Sequence, residues 1–320
     1  MKNITIAIFV ALIYVPSADA AKCMLVMSYH KGYEWNDGVE NGVRSVLKNK
    51  CDLQVFYMDT KRNKTAKHAK IMAVKAKSAI DEFRPDVLIA ADDNASRYLV
   101  TKYYKDVDLP VVFCAVNWDV SKYGYPYKNV TGMVEVAPIQ PLYEVSRNML
   151  GEVHTVTYLG ANTFSEKKNS RRVASVMKNL GVKHKILLAE TFSEWKKMFS
   201  AGQSSDFIML GSNAGISEWD SDKALEHVKI EAKKLIVTNH SWMAPFSMYA
   251  MTKVAEEQGQ WAAEAALAIV RGLSPRKIPI RVNRKWQTYI NTPLLRKIGM
   301  NMDRIKPQKF IEVNGRSKLD

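Results

Sequence analysis

Cysteine and histidine are scarce in this chain, three and six among 320 residues. Neither shows the close pairing that zinc sites need, so no metal centre is expected. The signatures G-x-S-x-G, H-E-x-x-H and the phosphate-binding loop are all missing, which argues against the hydrolases and nucleotide enzymes that carry them. Acidic residues are outnumbered, 32 against 47 basic ones, for a net charge of +15. The Lys and Arg residues are scattered and form no stripe with aromatic residues, so nucleic acid is not an expected partner. The excess reads as a solvated surface, or else as an attraction to anionic lipid or an acidic partner. Any membrane contact is then peripheral.

Long apolar runs are missing too, apart from Ile4 to Val15. That run is shorter than the roughly 20 residues a membrane span needs. Lys2 precedes it and Ala18-Asp19-Ala20 follows. The pattern reads as a signal peptide over residues 1–20, cut after Ala20, which sends the mature chain to the periplasm or the medium. Lys22 just before Cys23 argues against lipidation of that cysteine. Export makes a disulfide possible between Cys23 and Cys51, if the runs they open are neighbouring strands. Cys114, inside VVFCAV, reads as a buried free thiol.

What is present is a rhythm. CMLVMS, DLQVFYM, DVLIAA and PVVFCAV are short, nearly continuous apolar runs. Helical patterns lie between them, at Asn36 to Asn49, Thr65 to Phe83 and Asn94 to Tyr104. Continuous rather than alternating runs mark strands buried on both faces, as in a parallel sheet flanked by helices. Asn117 to Val136 is rich in Tyr, Gly, Asn and Pro and reads as a crossover. A second series follows, HTVTYLG, KILLAE, DFIMLG and LIVTNH, again with helices between. An Ala-rich helix, Val254 to Arg271, ends at Gly272, a natural C-cap. No low-complexity linker and no sequence-level repeat occurs. About 300 mature residues suggest two domains. The expected fold is α/β, two doubly wound parallel-sheet lobes joined by a hinge. Residues 21–118 plus 245–276 would form lobe one, and 119–244 plus 277–320 lobe two.

Six stretches carry a resemblance: SYHKGYEWNDGVENG (28–42), PDVLIAADDNA (85–95), PVVFCAVNWD (110–119), NVTGMVEV (129–136), GQWAAEAALAIVRGLSPRKIPI (259–280) and YINTPLLRKIGM (289–300). Their order and spacing resemble the type I periplasmic binding proteins. More narrowly, they resemble the ABC-transporter substrate-binding proteins in the branch that includes aromatic amino-acid binders. The resemblance implies two lobes closing on a small polar or aromatic, amino-acid-like ligand for an ABC permease. It implies no cofactor, no catalysis and a monomer. A ligand sensor serving a separate membrane signalling protein is the alternative.

Doubly wound sheets bind ligands beyond the carboxyl ends of their strands. That rule selects Ser28, Tyr29 and Trp35 after the first strand. Tyr29 stacks a ligand or packs, and Trp35 packs on the following helix or lines the cleft. Asp92, Asp93 and Asn94 follow the third strand. One of Asp93 and Asn94 is expected to cap the helix. Asp92 is then free to meet a ligand amine. The family more often has Thr or Ser here, so binding of a ligand carboxylate at this helix end does not carry over simply. Asn117, Trp118 and Glu135 are hinge or cleft candidates. The second lobe contributes Asn162, then Ser212 and Asn213, which cap the next helix and offer N–H groups to a ligand carboxylate, and the loop Asn239-His240-Ser241-Trp242, with Asn239 and Trp242 as contacts.

Overall fold

The computed structural model describes residues 21–300, 309–313 and 315. The segment 1–20, read above as a signal peptide, lies outside them. Among the described residues, no helix is long and apolar enough to cross a membrane.

The first sheet contains β1 (Lys22–Met27), β2 (Asp52–Tyr57), β3 (Val87–Ala91), β4 (Val111–Asn117), β5 (Val130–Glu135) and β11 (Arg281–Val282). They stand in the order β11-β5-β4-β3-β1-β2, with parallel neighbours throughout. The apolar runs divide between the two faces. Cys23, Leu25, Met27, Val87 and Ile89 join a core under the helices Glu34–Leu47 and Ala255–Val270. Met24, Val26, Leu88 and Ala90 face the helix Ala66–Phe83. Successive strand residues point to opposite faces, so a run apolar at every position needs helices on both sides.

The second sheet contains β6 (Thr155–Ala161), β7 (Lys183–Ala189), β8 (Phe207–Leu210), β9 (Leu235–Thr238), β10 (Tyr249–Lys253), β12 (Trp286–Ile290) and β13 (Ile311–Glu312). Its order is β13-β12-β10-β9-β8-β6-β7, with β10 and β12 antiparallel. Its core centres on Trp195, Phe199, Phe207 and Tyr158.

These sheets shift the expected lobe boundaries. The stretch Asn117 to Val136, read as a crossover, contains β5, which pairs with β4 in the first sheet. Tyr125 stacks on Phe113 at 4.9 Å and belongs to that lobe's core. The chain therefore crosses after Glu135, not after Trp118. It returns after Lys253, because β10 pairs with β9 in the second sheet. β11 belongs with the first sheet, although residues 277–320 were assigned to lobe two. Hydrogen-bond partners on a sheet edge decide membership, and local composition does not carry them.

Cys23 and Cys51 form a disulfide, their Cα atoms 5.9 Å apart, tying the start of β1 to the entry of β2. Cys114 is free and buried. The bridge spans 28 residues. Closing such a loop in the unfolded chain is worth about 3.6 kcal/mol in the loop-entropy model. Cys51→Ser should therefore lower unfolding free energy by about 3.6 kcal/mol in urea titration. A loss under about 1 kcal/mol would show that the unfolded chain already holds these ends together.

Candidate functional site

A cavity of about 670 Å³ lies between the sheets, within the range of small-molecule sites. Its first-lobe wall comes from the carboxyl ends of the parallel strands: Tyr29 after β1, Asp92 after β3, Asn117 and Trp118 at the end of β4, and Glu135 at the end of β5. Its second-lobe wall comes from Asn239 to Trp242 after β9, Lys253 at the end of β10, and Asn169 and Arg172 on the helix Phe164–Asn179. Of the predicted residues, Tyr29, Trp35, Asp92, Asn117, Trp118, Glu135, Asn239 and Trp242 line this cavity. Ser28, Asp93, Asn94, Asn162, Ser212 and Asn213 do not.

Each of those six has another partner. Ser28 is fully buried and clamps the turn after β3: its Oγ donates to the Ala91 carbonyl at 2.7 Å and accepts the Ala95 N–H at 2.8 Å. That corrects the expected capping, since neither Asp93 nor Asn94 caps the helix. Ser28, just past the end of the neighbouring strand, accepts the Ala95 N–H instead, which also bonds the Asp92 carbonyl. Asp93 accepts from Lys122 at 2.7 Å, Tyr123 Oη at 2.5 Å and Asn117 Nδ2 at 3.0 Å. Burial pushes its carboxyl up, but these bonds outweigh burial and hold it below the usual range. Asn94 Nδ2 donates to Thr60 Oγ1. Asn162 donates to Glu190. Ser212 Oγ accepts the Ala214 N–H, and the Asn213 carbonyl accepts from Ile216. The helix expected to be capped by Ser212 and Asn213 begins later, at Ser221, and Asp220 caps it.

Asp92 is the unusual member. Its backbone sits at φ +70°, a left-handed conformation costly for a residue with a Cβ. The side chain is 1% exposed, and its Oδ2 has no partner. Burial pushes the carboxyl well above its usual range, and the charges of Glu135 and Asp93 add to this. Lys61 and Lys253 oppose the shift without contact. Glu135 is also buried and pushed up, but it has its counter-ion in Lys253. Strain and an unpartnered buried acid in one residue are common at functional sites.

Three cations of this cleft were not singled out from the sequence. Lys61 lies 4.7 Å above the Tyr33 ring and 5.2 Å above Tyr29. Lys253 lies 5.0 Å above Trp35. Arg172 lies 4.4 Å above Trp118. Trp118, at φ +63°, packs on the second lobe's core while its N–H bonds Glu135, so it joins the lobes. His240 is half-buried beside Trp242, ring centroids 4.6 Å apart, and desolvation of its ring pushes the imidazole down to about 3. Lys253 ends a strand that the sequence did not reveal, and Arg172 sits mid-helix, where the strand-end rule gives no signal.

A search of curated proteins finds no match to this sequence. The family model described as ABC transporter substrate binding protein matches residues 30–305. The fold is similar to an open, ligand-free substrate-binding protein with adhesive properties from Clostridium difficile. The TM-score is 0.67 at 15% identity, covering 92% of this chain and 100% of that one. It is also similar to an ABC domain in complex with L-Trp from Streptococcus pneumoniae, with TM-score 0.56, 16% identity and coverage of 88% and 96%. A leucine-binding protein from Thermotoga maritima gives TM-score 0.53 at 12% identity, covering 78% and 83%. At these identities the solved structures speak for the type I periplasmic binding protein fold alone. The family model covers most of the chain, and the chain belongs to the ABC transporter substrate-binding proteins.

Proposed function

We propose that the protein is an exported, monomeric solute receptor, which captures a small polar or aromatic, amino-acid-like ligand between its lobes and delivers it to an ABC permease. One observation carries this reading: a buried, unpartnered carboxyl oxygen on Asp92 at the floor of a cleft walled by aromatic rings. A buried acid without a partner is costly to the free protein, and a ligand that answers it favours the ligand-bound form. The same cleft carries no catalytic role, and the ligand leaves unchanged.

Native mass spectrometry of protein purified without denaturation, followed by a thermal-shift screen of amino acids, amines and nucleosides, tests the reading. A ligand present at 100 times its Kd adds about 2.7 kcal/mol of stability. Asp92→Ala should weaken the ligand so found at least about tenfold by titration calorimetry, the loss expected for one charge-assisted hydrogen bond. Unchanged affinity would remove Asp92 from the site, and turnover of the bound compound would overturn the receptor reading.

A further inference from the structure

Three buried polar atoms without a partner belong to residues of the cleft: Asp92 Oδ2 in the first lobe, Asn239 Oδ1 and His240 Nε2 in the second. Asn239 Oδ1 accepts by nature, and Asp92 Oδ2 accepts once the carboxyl gives up the proton that burial makes it hold. His240 is neutral, and with its proton on Nδ1 its Nε2 accepts as well. The other tautomer finds no acceptor. Glu166 Oε1 lies 4.0 Å from Nε2, beyond hydrogen-bond range, and already accepts from Asn169 at 2.9 Å. So the cleft offers an incoming cation three acceptors, Asp92 in its ionised form, with no protein group donating to them. A hydroxyl brings one donor and a water two, while a primary ammonium brings three and a charge that matches Asp92.

The aromatic rings offer a competing berth for a cation, but four of them already carry one. Lys61 covers Tyr33 and Tyr29, Lys253 covers Trp35, and Arg172 covers Trp118. Each resident cation also repels a second one brought to the same ring. Glu135 is matched by Lys253 and Asp93 by Lys122. That leaves Asp92 as the carboxylate in the cleft's interior with no cation in contact.

We infer that the polar anchor of the cleft is a primary-ammonium site, in which Asp92 Oδ2, Asn239 Oδ1 and His240 Nε2 share the three N–H groups of the ligand. The inference rests on the reading of the cleft as the ligand site and narrows its ligand to primary amines. It also gives closure a cause. One acceptor comes from one lobe and two from the other, so the ammonium is fully satisfied only when the lobes meet around it.

Methylation separates this anchor from an aromatic cage, because a trimethylammonium keeps the charge and loses every donor. The probes are tryptamine, phenethylamine and L-tryptophan, each against its N,N,N-trimethyl form, with indole-3-propionate as the amine-free control. Titration calorimetry on the full mature chain reads affinity. We expect at least one primary amine to bind and its trimethyl form to bind about 100-fold more weakly or worse, as the loss of two or three charge-assisted bonds demands. Asn239→Ala should weaken the primary amine about tenfold and leave the trimethyl form unchanged. It alters one loop side chain and keeps Asp92, so folding is not at stake. Equal affinity for the two forms overturns the ammonium site, and so does silence toward every primary amine. If a neutral or acidic compound then co-purifies, the receptor reading survives without this anchor. A bare protein that answers no compound ends both.

Discussion

Asp92→Asn makes the ligand-free protein more stable and weakens its capture of ligand. The buried carboxyl of Asp92 binds its proton more tightly in the fold than in the unfolded chain, where its pKa is near 3.8. Above that value, and until the raised native pKa is passed, the folded state holds more protons than the unfolded one. Stability therefore falls as pH rises across this window, in contrast to a salt-bridged Asp, whose contribution grows with pH. Asn does not titrate and also tolerates the left-handed backbone at φ +70°. The variant should lose this slope and be more stable than the parent near neutral pH, by about 1.4 kcal/mol for each unit by which the fold raises the carboxyl's pKa, because an amide has no charge to bury and no proton to retain. Urea titrations at pH 4 and pH 8 measure both effects. Capture of the cognate ligand should fall at least about tenfold, as for Asp92→Ala, since the counter-charge is gone. A variant less stable than the parent at pH 8 would mean that the carboxyl has a structural partner. Asp93 provides the contrast. Its carboxyl is held below the usual range by Lys122, Tyr123 and Asn117, so its contribution is present above the ordinary carboxylate pKa and lost as pH falls through the lowered one.

Gly259→Ala should cost about 4 kcal/mol or more, at the high end for a single substitution. The helices Glu34–Leu47 and Ala255–Val270 cross with backbone against backbone. A Cβ on Gly259 would collide with the Val39 carbonyl and come within 2.8 Å of the Val43 N–H nitrogen. On the facing helix, a Cβ on Gly42 would collide with the Glu256 carbonyl and lie 2.9 Å from the Gln260 nitrogen. Backbone atoms cannot rotate away as a side chain does, so the helices must separate and open the core beneath them. Ala255 and Glu256, at the start of the second helix, line the cleft, so the same shift should also weaken ligand capture. Urea unfolding of the variant checks the magnitude. A loss under about 1 kcal/mol would show that the helices slide apart freely.

Much of the cleft wall was legible because one topological rule operates twice. Strands buried on both faces are visible as apolar runs, and their carboxyl ends point to the residues that follow them. Tyr29, Asp92, Asn117 and Asn239 were found in that way. The rule fails where a strand is hard to see. β10, Tyr249–Lys253, follows the 3-10 turn Ser241–Phe246 and runs almost directly into the next helix, so no separate apolar run marks Lys253 as a strand end. The rule also overreaches at Ser212 and Asn213, where local turn bonds engage the residues that follow the strand.

The sequence by itself determined the class of fold, the two series of strands and helices, and the general place of the site. Those follow from burial and periodicity, which act over a few residues. The tertiary structure decided the rest. It placed β5 and β11 in the first sheet and β10 in the second, because a strand belongs where its hydrogen-bond partners lie. It separated Asp92 from Asp93 by a left-handed turn, turning one carboxyl into the cleft and the other onto Lys122. It brought Lys253 over Trp35 and Arg172 over Trp118, pairs distant in the chain that nothing in local patterning connects. The charge a ligand meets depends on which groups already neutralise each other, and that is settled only by contacts across the whole fold.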